Sequence, residues 1–312
     1  MNFSTKVQIK PSEKSITYNE KIMLFGSCFS ENIGAKFRFA YFQTIQNPFG
    51  ILYNPASIAI AMNTILSDTR FSKKDLIQHN ELWHSMLHHG DFSGANPDKC
   101  LENINSALVQ ARKFIRQTDV LVLTFGTAWI YVKDKQVVGN CHKIPDKQFT
   151  RRRLTCDEIV NSYKKLIEDL LKIRTELRII FTVSPVRHWK DGAHENQLSK
   201  STLHLAIDEL CQLFPHACSY FPAYEIVLDE LRDYRFYAED MLHPNSAAVN
   251  YIWERFSETY FDEENAKYKN ELEQLHRNLS HRPIHPDTRS YQTFLLNIQK
   301  KHTELKEKFP WI

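Results

Sequence analysis

An aspartate and a histidine three positions apart, Asp240 and His243, stand in the segment DMLHPN. If the segment forms one helical turn, both side chains lie on the same face, because residues at i and i+3 are neighbours there. The carboxylate can then accept a hydrogen bond from the imidazole and hold it in one tautomer, as a catalytic triad requires. The alternative is an aspartate at a helix start beside a surface histidine, since so short a spacing is common by chance.

Two candidate nucleophiles, Ser27 and Cys28, follow the apolar run at residues 21–25 and the turn residue Gly26. A side chain at this position lies at the amino end of the next helix, where free N–H groups favour an anion and lower the pKa of a cysteine. The alternative is that Ser27 caps the helix and Cys28 is a small buried hydrophobe. Strand alternation directs the two side chains to opposite sides, so we expect only one to face His243.

Strands and helices alternate along the chain and must bring these residues together. We predict buried strands at residues 21–25, 39–45, 119–125, 178–183 and 218–221, with helices between them. This order indicates a parallel sheet with helices on both faces. The carboxyl ends of parallel strands meet at one edge, so GSC, NPFG, FGTAW, SPVRH and DMLHPN should lie together there.

Three stretches fall outside this alternation. Residues 71–98 are rich in histidine and aromatic residues without a clear period, and we interpret them as a loop-rich insertion. Residues 129–138 resemble a short hairpin around KDKQ. From residue 262 the sequence becomes a charged helix, then a break at HRPIHPD and a second helix. The predicted organisation is a catalytic domain over residues 1–261 and a helical tail over 262–312 that packs on it or mediates oligomerisation.

The overall composition is typical of a globular protein: 312 residues, of which 42% are hydrophobic and 25% charged. The net charge of +3 is too small to indicate a nucleic-acid or membrane partner. The stretch MNFSTKVQIKPSEK lacks the apolar segment of a secretory signal, and the 6 cysteines form no CxxC pair. We therefore expect a cytoplasmic protein with free thiols. No spaced motif predicts a metal site.

Together these motifs resemble the GSCFA family, which is named for its N-terminal motif and is related to the SGNH (GDSL-like) hydrolases. The motif is present as Gly26-Ser27-Cys28-Phe29-Ser30, with serine in place of the usual final alanine. The resemblance covers about residues 20–260 and implies a three-layer α/β/α fold with a parallel, flavodoxin-like sheet of about five strands. It continues through NPFGILYNP (47–55), LTFGTAW (123–129), VSPVRHWKDG (183–192) and DMLHPN (240–245).

The resemblance also implies catalytic roles. In SGNH hydrolases the motif F-G-D-S-L ends the first strand, and a gapless alignment with FGSCF puts Cys28 under the nucleophilic serine and Ser27 under the aspartate. A slip of one residue at the turn would give Ser27 the role instead. We favour Cys28, because a thiolate is the better nucleophile and depends less on a perfect oxyanion hole. The family's final D-x-x-H block corresponds to Asp240 and His243.

The predicted oxyanion hole is less complete. Asn47 and Gly50 correspond to the N-x-G block, one residue further apart, in which the glycine N–H serves the oxyanion. The G-x-N-D block reads Gly126-Thr127-Ala128-Trp129, so its oxyanion-binding asparagine is missing. The Thr127 hydroxyl or a histidine of the insertion can substitute. The candidate histidines of the insertion are His84, His88 and His89. The alternative is that they form only structural hydrogen bonds within a loop.

Another polar group follows the fourth strand, and it either shapes a polar pocket or forms a solvated loop and helix start. Its members are Arg187, His188, Lys190, Asp191, Asn196 and Lys200.

These observations predict an SGNH-like acyl hydrolase (esterase) or acyltransferase that acts on an O-acyl ester, with a glycan as the substrate only by analogy with relatives of the fold. Hydrolysis needs no cofactor, whereas transfer would need an acyl-CoA donor. The alternative is a non-catalytic module that binds a ligand in the same pocket without turnover. The missing asparagine favours this alternative, and the retained Asp240–His243 pair disfavours it.

Overall fold

The computed structural model describes residues 4–312, and within them it contains ten strands and nine α-helices. The strands are β1 (Lys21–Gly26), β2 (Gln43–Gln46), β3 (Leu76–His79), β4 (Leu82–Ser85), β5 (Val120–Phe125), β6 (Trp129–Lys133), β7 (Gln136–Val138), β8 (Thr150–Arg153), β9 (Arg178–Val183) and β10 (Cys218–Tyr220). The helices are α1 (Cys28–Phe39), α2 (Pro55–Leu66), α3 (Pro97–Ile115), α4 (Cys156–Ile173), α5 (Gly192–Leu213), α6 (Ala223–Glu225), α7 (Ser246–Tyr260), α8 (Glu263–Leu279) and α9 (Arg289–Lys308).

Five strands form one parallel sheet in the spatial order β2-β1-β5-β9-β10. Numbered along the chain among themselves, they have the 2-1-3-4-5 order of flavodoxin-like folds. The prediction of a three-layer α/β/α fold with a parallel, flavodoxin-like sheet and C-terminal helices is therefore confirmed. Two small antiparallel sheets, β3–β4 and β7–β6–β8, stand apart from the central one.

Helices cover both faces of the central sheet, because its inner strands are apolar on both sides. On one face, Met23, Phe125 and Phe181 belong to a core shared with α2, α3, α4 and α5. On the other face, Leu24 and Val122 belong to a core shared with α1, α7, α8 and α9. Each such side chain contributes roughly 1.5–3 kcal/mol by its burial, so the sheet is a stable platform for the loops at its edges.

The C-terminal helices take part in the second of these cores. Leu272 and Leu275 of α8 and Ile298 and Leu305 of α9 are buried there. The division of the chain at residue 262 into a domain and a tail stays a prediction. Within the described part of the chain, every helix is too short or too polar to cross a bilayer.

Local sequence explains where several helices begin. At the start of α4, the Glu158 N–H donates to the Thr155 hydroxyl at 3.2 Å, and the Thr155 N–H donates to the Glu158 carboxylate at 2.8 Å. Together these two bonds form a capping box. At the start of α2, the Asn54 side chain accepts from the Ser57 N–H at 2.8 Å, and proline occupies the first helical position.

The observed elements differ from the predicted ones in three places. The second strand is Gln43–Gln46 rather than residues 39–45, because α1 continues to Phe39. The stretch 71–98, predicted to be loop-rich, contains the hairpin β3–β4. The predicted hairpin β6–β7 gains a third strand, β8, whose sequence TRRR has no apolar residue to indicate one. Pairing with β6, rather than its own composition, makes β8 a strand.

The strand order also locates the expected ligand site. The chain leaves β1 toward β2 on one side and later returns to β5 on the other side of β1. The loops after β1 and β5 therefore diverge, and in open parallel sheets ligands bind in the crevice that such a switch point leaves at the carboxyl edge.

Candidate active site

A cavity of about 550 Å³ lies at this carboxyl edge. Its volume is in the range of small-molecule sites. Four predicted site residues line it together: Ser27 and Cys28 after β1, Thr127 after β5, and His243 from the DMLHPN loop. The nucleophile turn and the imidazole, more than two hundred positions apart in sequence, thus meet at one cavity.

Gly26 makes the turn into the cavity possible. Its φ is 144°, a conformation that side-chain-bearing residues rarely adopt. A Cβ at this position would lie 2.3 Å from the Thr124 carbonyl oxygen on the neighbouring strand. The Gly26 N–H donates to Asn47 Oδ1 at 2.9 Å. The backbone after β1 therefore packs closely against β5 before it enters α1.

The two candidate nucleophiles differ in access. Ser27 is the N-cap residue of α1, but its side chain makes no capping hydrogen bond, so the simple capping alternative does not hold. Its hydroxyl oxygen is buried and has no hydrogen-bond partner within residues 4–312. Cys28, the first residue of α1, is partly exposed. Both line the cavity. The expectation that only one of them faces His243 stays a prediction.

The thiol of Cys28 is not acidic. Burial raises its pKa, and the negative charge of Glu31 adds to this effect. The backbone N–H of Phe29 and the charge of Lys200 act in the opposite direction but are weaker than burial. The expected lowering of the Cys28 pKa at the helix start is therefore wrong, because desolvation of the thiolate outweighs the helix terminus. A nucleophilic Cys28 needs a base to accept its proton.

Asp240 orients the imidazole of His243 through a hydrogen bond. The two residues lie in a turn and not in the predicted helical turn. The backbone N–H groups of Leu242 and His243 both donate to Asp240 Oδ1 at 2.9 Å. Asp240 Oδ2 and His243 Nδ1 are 2.5 Å apart. These two N–H groups, and then the imidazole, lower the pKa of Asp240 to about 2. Met241 takes a φ of 58°, which closes the turn.

Further backbone contacts anchor this loop. The Ala238 N–H donates to the His243 carbonyl oxygen at 2.7 Å, and Tyr237 pairs with Pro244 in an isolated bridge. Asn245 then caps α7 by accepting from the Ala248 N–H. His243 Nδ1 is occupied by Asp240, so its Nε2 is the nitrogen left for proton transfer. Within residues 4–312 no hydrogen bond joins His243 to the nucleophile turn, and catalytic hydrogen bonds often tighten only with substrate.

Asn47 and Gly50 do not line the cavity. The Gly50 N–H donates to the Asn47 carbonyl oxygen at 2.7 Å, and a Cβ at Gly50 would lie 2.3 Å from the Cβ of His89. The N–H predicted to bind an oxyanion is therefore already engaged in a turn. The structure thus places neither residue at the cavity wall, and Asn47 instead accepts from the Gly26 N–H of the nucleophile turn.

His88 also lies away from the cavity wall. It is 1% exposed and its ring stacks on Phe49 with the centroids 4.3 Å apart. Its Nδ1 lies 2.8 Å from the Ser85 hydroxyl oxygen. Burial lowers the pKa of His88 to about 3, so the ring is neutral near pH 7. His88 thus packs in the interior, and the structure does not place it beside the other predicted site residues.

Thr127 does line the cavity, and its hydroxyl belongs to a short network. Its oxygen accepts from the Trp129 N–H at 3.1 Å and lies 3.0 Å from the Ser199 hydroxyl oxygen. Ser199 Oγ in turn accepts from the Ala128 N–H at 2.7 Å. One hydroxyl hydrogen joins the two oxygens. When Ser199 donates it, the Thr127 hydrogen is free for a group in the cavity.

Asn54, which sequence reasoning missed, also lines the cavity. Its Oδ1 accepts from the Ser57 N–H, which orients the amide, and its Nδ2 makes no hydrogen bond within the described residues. The carbonyl oxygen of Tyr53 accepts from the N–H groups of Gly126 and Thr127 at 2.8 and 2.9 Å. These bonds hold Asn54 beside the block that lacks the expected asparagine. The Asn-Pro step indicated a helix start, and nothing in it indicated a second role.

The polar group after β9 contributes to the cavity, as the pocket alternative predicted. Arg187, His188, Lys190 and Asp191 line the cavity. Burial, and then the charge of Lys200, lower the pKa of His188 to about 4, so this imidazole is neutral near pH 7.

Lys200 lies beneath the cavity and is fully buried. Its Nζ donates to the carbonyl oxygens of Gly126 and Ser184 at 2.7 and 2.6 Å. Burial, and then the charge of Arg187, lower the pKa of Lys200 to about 7. Lys200 thus ties together the segments that follow β5 and β9, at the edge where the cavity lies.

The fold and cavity define a flavodoxin-like α/β protein with a cavity at the switch point of its sheet. The GSCFA family profile matches residues 21–256, and a second profile, described as the GSCFA domain protein, C-terminal domain, matches residues 272–312. The chain therefore belongs to the GSCFA family, and the resemblance predicted from its motifs is confirmed.

Comparisons with individual proteins add little. No curated protein matches the chain. Among solved structures, the chain is similar to one described as a carbohydrate esterase family 3 from Talaromyces cellulolyticus, at 10% sequence identity and a TM-score of 0.36. The match covers 84% of this chain and 100% of that one. A likeness of this degree identifies neither substrate nor mechanism.

Proposed function

We propose that the protein is an acyl hydrolase that cleaves O-acyl esters through Cys28, His243 and Asp240. One observation carries the proposal: Cys28 and His243 line the same cavity, while Asp240 holds His243 by its Nδ1 at 2.5 Å. A nucleophile, a base and a residue that orients the base are the parts that nucleophilic acyl transfer needs. The raised pKa of the thiol makes the base essential, because little thiolate forms without it.

The reaction follows from these positions. His243 Nε2 takes the thiol proton as Cys28 Sγ attacks the ester carbonyl, so that a C–S bond forms and the carbonyl oxygen becomes an oxyanion. When the carbonyl re-forms, the C–O bond breaks and the imidazolium gives its proton to the leaving alcohol. Water, deprotonated by His243, then hydrolyses the thioester to a carboxylic acid and restores the thiol. Attack by an alcohol instead of water is acyl transfer, for which an acyl-CoA could supply the acyl group.

The oxyanion needs donors other than the Gly50 N–H. The free N–H groups of the first turn of α1 lie beside Cys28. Asn54 adds a side-chain amide whose Oδ1 is held by the cap of α2, and Thr127 adds a hydroxyl. In this mechanism the Asn54 amide donates to the oxyanion in place of the asparagine that is missing after β5. Asn54 belongs to a different segment of the chain.

Replacing Asn54 with serine tests this donor. Serine is also a good N-cap residue, so α2 should remain stable, but the amide is lost. We expect kcat for an acetyl ester to fall by about 10²-fold with little change in KM, because the donor acts mainly in the transition state. Asn96→Ser, at the equivalent cap of α3, is the control. An unchanged kcat in Asn54→Ser would remove Asn54 from the oxyanion hole.

Glycan acetyl esters are the substrates to test first. The cavity wall presents the aromatic rings of Trp129, Tyr131 and Trp189, and large aromatic faces suit the apolar faces of sugar rings. The test is hydrolysis of a panel of acetylated sugars and 4-nitrophenyl acetate, followed by mapping of sites labelled by thiol-directed and fluorophosphonate probes. We expect hydrolysis and labelling of Cys28.

The second candidate function is a ligand-binding module without turnover. The raised pKa of Cys28 and the lack of a hydrogen bond to His243 within residues 4–312 favour it. In that case the panel shows no hydrolysis and neither probe labels Cys28 or Ser27, although the sugars still bind.

A further inference from the structure

Most of the charged side chains on the cavity wall neutralise one another. Arg151 pairs with Asp191, whose side chain is only 2% exposed. The guanidinium of Arg151 also lies 4.4 Å from the ring centroid of Trp129. Lys190 pairs with Asp146 at 2.9 Å. These two ion pairs leave neither of their cations free for a charged ligand.

Arg187 is the exception. It lines the cavity, is partly buried, and forms no ion pair within the described residues. Burial raises the pKa of its neighbour Tyr224, and the charge of Arg187 acts in the opposite direction, while the Tyr224 hydroxyl donates to Gln197 Oε1 at 3.3 Å. A neutral hydroxyl does not balance the charge of a guanidinium.

Two acids lie near Tyr224, and neither forms an ion pair with Arg187 within the described residues. Glu225 accepts a hydrogen bond from the Tyr220 hydroxyl at 2.7 Å, and Asp229 lies 3.8 Å from Arg232. Lys200, whose pKa is lowered by burial and then by the charge of Arg187, donates to two carbonyl oxygens and forms no ion pair within the described residues. Arg187 therefore remains the cation of the cavity wall without an ion pair in the described part of the chain.

A partly buried guanidinium without a counter-ion is costly, and an anionic ligand group removes that cost. Its planar donors match a carboxylate or a phosphate, which they bind with two parallel hydrogen bonds. Because Arg187 and Cys28 line the same cavity of about 550 Å³, one small substrate can reach both.

We propose that Arg187 forms an anion-binding subsite, and that the substrate is an O-acyl ester which carries a carboxylate or phosphate, such as an acylated uronic acid or sugar phosphate. This inference rests on the proposed function, since it names the substrate class of the same cavity. The anion would bind at Arg187 while the ester lies at Cys28. Recognition of charge would then come from one residue, and hydrolysis from others.

Matched substrates test the subsite. The panel contains acetylated methyl glucoside, acetylated methyl glucuronide and acetylated glucose 6-phosphate, which separate a neutral sugar, a carboxylate and a phosphate. We expect the wild type to prefer an anionic ester. Arg187→Gln should raise KM for that ester by about 10- to 100-fold and leave the neutral ester within about 2-fold. Arg187→Lys should recover part of the loss, and Arg152→Gln, which removes an exposed arginine paired with Glu158, should change neither.

A binding measurement separates this inference from the proposed hydrolysis. Calorimetry with the unacetylated methyl glucuronide, methyl glucoside and glucose 6-phosphate requires no turnover. If an anionic sugar binds more tightly than the glucoside and Arg187→Gln removes the difference, the subsite stands even if no ester is cleaved. Equal affinity for charged and neutral sugars, no binding of any of them, or an equal loss for all three in Arg187→Gln would overturn it.

Discussion

Replacing Cys28 with alanine should lower kcat/KM for acetyl esters by at least about 10³-fold, whereas Ser27→Ala should lower it by less than about 10-fold. We expect this difference because the two side chains differ in their exposure and in their position relative to α1. Cys28 is the partly exposed first residue of α1, whereas the Ser27 hydroxyl is buried and makes no hydrogen bond within residues 4–312. Steady-state kinetics of the purified variants on one ester measures the effect, with melting temperatures to show that both fold.

Cys156 offers a matched control. Like Cys28 it is a partly exposed cysteine at the first position of a helix, α4, but it does not line the cavity. Cys156→Ala should keep the wild-type rate. If Ser27→Ala is inactive while Cys28→Ala is active, the nucleophile is Ser27. If both variants keep the activity, neither residue is the nucleophile and the proposed mechanism fails.

Replacing Gly26 with alanine should destabilise the fold by about 3 kcal/mol or more. The added Cβ would lie 2.3 Å from the Thr124 carbonyl oxygen, and a backbone oxygen in the middle of the sheet cannot move aside. The φ of 144° adds strain for any side chain. Urea denaturation should show a lower midpoint with an unchanged slope, because the exposed surface stays the same.

Gly90→Ala is the control for this substitution. A Cβ at Gly90 meets no atom within 4 Å, and its φ is not positive, so the change should cost little. Equal stability of Gly26→Ala and Gly90→Ala would contradict the close approach of β1 to β5. We also expect Gly26→Ala to lose activity beyond its loss of folded protein, because the turn that it distorts carries Cys28.

Much of the fold could be predicted from sequence because it depends on neighbours along the chain. Apolar runs indicate β1, β5 and β9 within one or two residues of their observed bounds. The Asp240–His243 hydrogen bond also forms between near neighbours, although through a turn instead of the predicted helix. By contrast, β8 is a strand only because β6 pairs with it, and no local pattern could indicate it.

The residues that could bind the oxyanion were the part of the site that could not be predicted from sequence. Asn47 and Gly50 stand in a block that matches the family pattern, yet their backbone turn uses the N–H that the pattern assigns to catalysis. Asn54, which the sequence did not single out, caps α2 and also lines the cavity. In both cases the residue type was visible, but the availability of a donor depends on which hydrogen bonds the folded chain has already formed.

The amino-acid sequence alone determined the order of the five central strands and the helices between them, the glycine turn after β1 and the pairing of Asp240 with His243, because these depend on residue type and short spacing. Only the tertiary structure decided that Cys28 and His243 share a cavity, that Arg187 there has no counter-ion within the described residues, and that the Cys28 pKa is raised. The burial of a site residue and the charges around it depend on contacts between segments that are distant in sequence. Those contacts form only when the chain has folded and the segments pack together.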